Sequence, residues 1–199
     1  MNLEEYKRKR ALEKAKRDEE KSKQRELCLR CMRPQKVCLC KNISPISTRF
    51  EFRLLMHPKE YKTGGIGTGR LTDLAIEKCK IIVGTEFVNN KEVQQIIGSE
   101  EYSAMILYPG TDSVNLSQAS LPEFIMTSAK KPLVFILDGT WPCAKSMIRR
   151  SKSLQNLPRI SFDSSHESKF SIKHQPAKYC LSTIESVHQL LQVLEEKGV

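Results

Sequence analysis

PLVFILDGTWPCAKSMIRR, residues 132–150, is the stretch from which the fold of this 199-residue chain can be read. Leu133, Val134, Phe135, Ile136 and Leu137 form an apolar run too short to span a membrane. Bounded by Pro132 and by Asp138-Gly139, the run fits a strand buried on both faces, as in a parallel sheet. Pro142 stands where the first turn of a helix tolerates proline. Beyond it Ala144, Met147, Ile148 and Ser151 keep an i, i+3, i+4, i+7 spacing, while Lys145, Arg149, Arg150 and Lys152 take other faces. Asp138, Gly139, Thr140 and Trp141 therefore lie on the turn where a core strand hands over to a basic helix. In open α/β sheets ligands bind at the carboxyl ends of the strands. This turn, which carries the only tryptophan of the chain, is the expected centre of an active site.

The flanking sequence repeats the strand–helix alternation. FEFRLLMH (50–57), KIIVG (80–84) and SAMILY (103–108) read as further core strands, with shorter ones over Arg159–Phe162 and Lys178–Leu181. Helical stripes fall at Leu71–Lys78 and at Val88–Gly98, the latter with a terminal glycine suited to a C-cap. Ser182-x-x-Glu185 is a capping box for a helix over Ile184–Glu196, and a modest helix is expected around Phe124. The whole indicates an α/β domain over residues 43–199, with a mostly parallel sheet and helices on both faces. TGGIGTGR (63–70) matches neither a dinucleotide fingerprint, since Arg70 takes the last glycine position, nor a Walker loop. Its glycines suit a substrate loop or lid, or a plain long loop.

A formal charge of +10 and a pI near 9.3 point to a polyanionic partner, nucleic acid before membrane. No apolar run is long enough for a membrane span, and the charged N-terminus lacks a signal-peptide core, so the expected address is cytoplasmic. Residues 1–26 hold ten Lys or Arg against seven Asp or Glu, which suits a solvated helical tail or an arm on RNA phosphates rather than a packed element. Residues 27–42 contain CLRCMRPQKVCLC. Cys28, Cys31, Cys38 and Cys40 can converge on one tetrahedral Zn2+, structural because four protein ligands leave no open position. Arg30, Arg33 and Lys36 would offset the thiolate charge. Cys79, Cys143 and Cys180 lie far along the chain on core elements and are not expected as ligands.

The stretch Asp138-Gly-Thr-Trp141 with Ala144-Lys145, Ser151, Leu154, Leu157, Pro158 and Arg159 resembles the signature of the DTW-domain family. So do the cysteine motif, His57-Pro58-Lys59-Glu60, Thr68-Gly69-Arg70-Leu71, Leu107-Tyr108-Pro109-Gly110 and Ser182-Thr183-Ile184-Glu185, in that order along residues 28–190. The resemblance implies a tRNA-uridine aminocarboxypropyltransferase related to the SPOUT fold, with its knotted cofactor site. It implies S-adenosylmethionine as co-substrate and attack on its Cγ by uridine N3, releasing 5′-methylthioadenosine.

On that reading Leu107, Tyr108, Pro109, Gly110, Asp138, Gly139, Thr140, Ser182, Thr183 and Glu185 bind the cofactor at one edge of the sheet. Asp138 is the first candidate for general base, with a purely ligand-binding role as the alternative. Trp141 is the expected platform for the uracil. His57, Lys59, Arg70, Lys145, Arg149, Arg150, Lys152 and Arg159 are the expected RNA contacts. An RNA methyltransferase using the same cofactor, an rRNA aminocarboxypropyltransferase and a non-catalytic zinc-dependent RNA-binding protein are the competing readings. No obligate protein partner is evident.

Overall fold

The computed structural model describes residues 4–5, 9–10, 12–13, 26–62, 67–120, 122, 129–164, 168 and 180–198. Among the described residues six strands form one sheet, all pairs parallel. They are β1 (Glu51–Met56), β2 (Cys79–Val83), β3 (Tyr102–Leu107), β4 (Ser113–Asn115), β5 (Lys131–Asp138) and β6 (Arg159–Ser161), in the spatial order β2-β1-β5-β3-β6-β4. The described helices are α1 (Pro58–Lys62), α2 (Thr68–Ala75), α3 (Lys91–Gly98), α4 (Trp141–Arg150), α5 (Lys152–Gln155) and α6 (Thr183–Glu196).

The anticipated core strand is the sheet's centre. β5 lies between β1 and β3, and Val134, Ile136 and Asp138 point to one face while Leu133 and Phe135 point to the other, as strand alternation demands. On the first face Val134 and Ile136 join Phe52, Leu54 and Met105 beneath Val187, Leu190 and Leu194 of α6. On the second, Leu133 and Phe135 join Leu55 and Ile106 beneath Val93 and Ile96 of α3 and Met147 and Ile148 of α4. Each such fully buried side chain contributes about 1.5–3 kcal/mol. Two covered faces explain why these strands read as unbroken apolar runs.

Local chemistry fixes the helix ends. The Asn90 side chain accepts from the Val93 amide at 3.0 Å to start α3. α4 carries Pro142 in its first turn and ends at Ser151, which is fully buried; its Oγ accepts from the Phe87 amide at 3.0 Å. The stripe of Ala144, Met147, Ile148 and Ser151 is buried as its spacing predicts, and Lys145, Arg149, Arg150 and Lys152 are exposed.

Three expectations change. Gly98 ends α3 without the left-handed turn expected of a glycine cap, because Ser99 follows it in extended conformation. The helical stripe after the glycine loop starts earlier, at Thr68. β4 adds an edge strand that its sequence does not announce. Glu4-Glu5, Lys9-Arg10 and Leu12-Glu13 are helical and exposed, in keeping with a solvated tail. The rest of the tail up to residue 25, residues 63–66 of the glycine loop, the helix expected around Phe124 and the first half of the strand expected over Lys178–Leu181 lie outside the described residues; Cys180 and Leu181 are not in a strand.

Candidate active site

Register brings the ends of β1 and β5 together. Met56 pairs with Asp138, and the His57 amide donates to the Asp138 carbonyl at 2.8 Å. The Asp138 side chain turns to the α6 face and is only 8% exposed. Thr183, the first residue of α6, donates its hydroxyl to Asp138 Oδ1 at 2.6 Å. The other carboxylate oxygen lies against Gly69 in the first turn of α2, where a Cβ would come within 2.9 Å of Asp138 Cγ and 2.8 Å of Met56 Cε. Only glycine leaves that room. The carboxylate therefore stands beside the N-terminal turns of two helices.

A cavity of about 760 Å3 opens above this carboxylate, within the range of about 300–1,000 Å3 typical of small-molecule sites. Its wall carries Leu107, Tyr108 and Pro109 after β3, Asp138 to Trp141 after β5, and Ser182 and Thr183 at the start of α6. Those loops were expected to gather at one sheet edge, and the parallel pairing puts them there. Two expected cofactor residues stand apart from the wall. Gly110 sits under the Arg159 guanidinium, and Glu185 spends its carboxylate on the α6 cap, accepting from the Ser182 amide at 2.8 Å and the Ser182 hydroxyl at 2.7 Å. Glu60, Thr68, Ser161, Asp163, Cys180 and Ser186 also line the cavity and were not singled out from sequence as site residues. For Glu60 and Thr68 the signal was available, since both belong to the quoted motifs.

Trp141 rims the cavity at 37% exposure, its indole N–H donating to Cys180 Sγ at 3.2 Å. One ring edge is thus fixed while the ring still meets solvent, which suits a stacking platform.

The four N-terminal cysteines also come together. Their sulfurs lie within 4.8 Å of one another, with Cys28–Cys40 and Cys31–Cys38 each at 3.7 Å. The Cys28 amide bonds the Arg33 carbonyl and the Met32 amide the Cys28 carbonyl, both at 2.7 Å, closing a tight turn in which Met32 adopts φ 58°. Hydrogen bonds from the backbone at Cys31 and then Arg30 draw the Cys28 thiol down to about 6; burial, then the Cys28 sulfur, push Cys40 up to about 12. The Cys28 thiolate forms readily while Cys38 and Cys40 resist ionising beside it, a conflict that a divalent cation removes. A set of four cysteines this compact fits Zn2+.

The DTW domain profile matches residues 25–199. The chain belongs to the DTW-domain family. Proteins named tRNA-uridine aminocarboxypropyltransferase 2 are similar to it. That of Macaca fascicularis is 31% identical over 184 residues, covering 90% of this chain and 60% of the relative. That of Mus musculus is 33% identical over 185 residues with the same coverage, and that of Drosophila melanogaster 32% over 180 residues, 87% of this chain and 68% of the relative. The chain thus spans 60% of the length of the two mammalian relatives. No solved structure is a significant match.

In this DTW domain the residues expected to meet RNA divide into three groups. Lys59 and Lys145 are exposed near the cavity edge, on α1 and one turn into α4. Arg149, Arg150 and Lys152 are exposed farther along, because α4 runs away from the cavity at about 1.5 Å per residue. Arg70, His57 and Arg159 are engaged within the protein. Arg70 is buried to 9% exposure, stacks 4.4 Å over the Tyr61 ring and donates to the Tyr61 carbonyl at 2.9 Å. His57 Nδ1 accepts from the Lys59 amide at 3.2 Å, and Arg159 lies 5.9 Å over the Tyr108 ring. Arg70 is thereby a tie between α1 and α2, not an open phosphate contact. No helix of the described residues is long and apolar enough to cross a membrane.

Proposed function

We propose that this DTW domain transfers the 3-amino-3-carboxypropyl group of S-adenosylmethionine to N3 of a uridine in tRNA, releasing 5′-methylthioadenosine. The observation that carries the proposal is the cavity over the ionisable, enclosed Asp138, at the carboxyl ends of β3 and β5, in a chain whose relatives are named tRNA-uridine aminocarboxypropyltransferase 2. The SPOUT relationship and its knotted segment belong to the same proposal and rest on the resemblance.

Sulfonium substitution makes the methionyl Cγ electrophilic, and displacement requires the nucleophile in line with the departing sulfur. This chain supplies the holding. Leu107 to Pro109, Gly139 and Thr140 line the cavity; their backbone groups would take the nucleoside end, and the Asp138 carboxylate a cationic group. Trp141 offers a face to an unstacked uracil. Lys145, Arg149 and their neighbours continue outward as phosphate contacts. The Cys28, Cys31, Cys38 and Cys40 set would hold a structural Zn2+ that fixes the segment preceding β1.

Incubation of purified protein with unmodified tRNA and S-adenosylmethionine tests the reading through the small product. Methylthioadenosine together with a modified uridine is the expected result. S-adenosylhomocysteine would instead identify a methyltransferase, and absence of cofactor binding by calorimetry a non-catalytic RNA-binding protein. An rRNA fragment in place of tRNA distinguishes the two polynucleotide substrates.

A further inference from the structure

Among the described residues three carboxylates line the cavity, Glu60, Asp138 and Asp163, and their surroundings differ. Asp163 is committed at both oxygens: Asn115 Nδ2 donates to one and Gln118 Nε2 to the other, each at 2.7 Å. Those bonds, Gln118 first, hold its carboxyl below the ordinary carboxylate range, which makes it a poor proton acceptor. Asp138 is enclosed, with Thr183 on one oxygen and the first turn of α2 against the other. It is held from both sides. Glu60 is on α1, directly after β1, half-buried at the cavity wall. Since β1 neighbours β5, the start of α1 stands beside the Asp138–Trp141 turn, and a Cβ at Gly139 would lie 3.3 Å from His57 Cβ.

We propose that Glu60 is the general base for uridine N3, while Asp138 is the fixed anion that holds the cationic amino group of the methionyl arm. This assignment rests on the function proposed above. In the step, uridine N3 forms a bond to Cγ and the Cγ–S bond breaks. The bonding pair stays on sulfur as methylthioadenosine leaves, and the N3 proton passes to a Glu60 carboxylate oxygen. No other reactant is needed. The division follows a general pattern: carboxylates sharing a site take different roles when their environments differ.

The test uses the full chain with tRNA. Methylthioadenosine formation by the wild type is measured first: its absence would overturn the function proposed above and this assignment with it, whereas an effect confined to a variant bears on the assignment alone. Glu60→Gln should then bind S-adenosylmethionine within about twofold of wild type while its single-turnover rate falls roughly 10²–10⁴-fold, the range for loss of a general base. Glu60→Asp, which keeps a carboxylate one methylene shorter, should recover part of that rate. Asp138→Asn should weaken S-adenosylmethionine binding roughly 10–100-fold, as loss of a charged hydrogen bond does. Wild-type single-turnover rates in Glu60→Gln would overturn the assignment. So would an Asp138→Asn protein with unchanged cofactor affinity and a collapsed rate, because Asp138 would then be the base.

Discussion

Thr183 Oγ1 donates to Asp138 Oδ1 across 2.6 Å and so joins the first turn of α6 to the end of β5. The bond is charge-assisted and largely screened from water, the situation in which a hydrogen bond is worth about 1.5–3 kcal/mol. Thr183→Val keeps the shape and removes the donor. Urea titration should show a stability loss of that order, and calorimetry weaker binding of S-adenosylmethionine, with Thr183→Ser restoring both. A Val variant as stable as wild type would show that Asp138 does not depend on this hydroxyl.

Gly69 and Gly98 make opposite predictions for the same substitution. A Cβ at Gly69 collides with the Asp138 carboxylate and Met56, so Gly69→Ala should cost about 1–3 kcal/mol through overpacking and displace the carboxylate. A Cβ at Gly98 meets nothing within 4 Å, and the backbone there is not left-handed. Gly98→Ala should therefore be neutral or stabilise α3 by up to about 1 kcal/mol. Melting curves of the pair decide the matter, and a harmless Gly69→Ala would contradict the close approach of α2 to Asp138.

Much of this site was legible in the sequence, and the reason is locality. The β5 run, its Asp-Gly turn, the buried stripe of α4 and the Ser182–Glu185 box are all patterns within one element, and each took its expected form. What escaped depends on which elements become neighbours. Glu60 and Thr68 reach the cavity because β1 pairs with β5, strands separated by about eighty residues. Arg70 has the look of a phosphate contact in sequence, but Tyr61 of the preceding helix covers it. Glu185 suits both a cap and a ligand, and the geometry leaves its carboxylate to the cap. β4, with Val114 its only apolar residue, has no periodicity to read.

Zinc should follow the local cysteines alone. Metal analysis is expected to give about one zinc per chain, falling to little in Cys31→Ser and to none when Cys28 and Cys31 are both replaced. Cys79 should be irrelevant, since burial first and then Asp73 push its thiol up to about 12 and keep it protonated. Full zinc content in the double variant would exclude the Cys28–Cys40 segment as the site.

Asp73 gives stability a pH dependence of known sign. Burial raises its pKa above the ordinary 3.8, and attraction to Arg30 and Arg70 only partly offsets this. Between the unfolded and the raised folded value the native state binds more protons than the unfolded chain. Stability contributed by this group therefore falls as pH climbs through that window and stays lower above it. Asp73→Asn removes the ionisation, so it should melt higher than wild type near neutral pH, and the difference should shrink as pH is lowered toward about 4. An advantage that instead grows in acid would mean that Arg30 and Arg70 outweigh burial.

The last prediction concerns how far the RNA surface extends from the cavity. At about 100° per residue, Trp141, Lys145 and Arg149 fall on one flank of α4, whereas Arg150 lies on the opposite flank; all four are exposed. A polynucleotide with its uracil on Trp141 would follow the first flank and leave Arg150 aside. Each neutralised phosphate contributes roughly 0.7–0.9 to the slope of log affinity against log salt. Replacing Lys145 and Arg149 together by Gln should flatten that slope by about 1.5 units, and Arg150→Gln should change it by much less. Trp141→Ala should weaken RNA by about 1–3 kcal/mol and the cofactor by less, since its loss removes a stacking surface. Deleting residues 1–24, which carry nine cationic side chains, should flatten the slope further without abolishing turnover if the tail also lies on phosphates. Equal effects of the Lys145/Arg149 and Arg150 substitutions would mean that α4 contributes only a diffuse positive field, and the path from Trp141 along its flank would have to be abandoned.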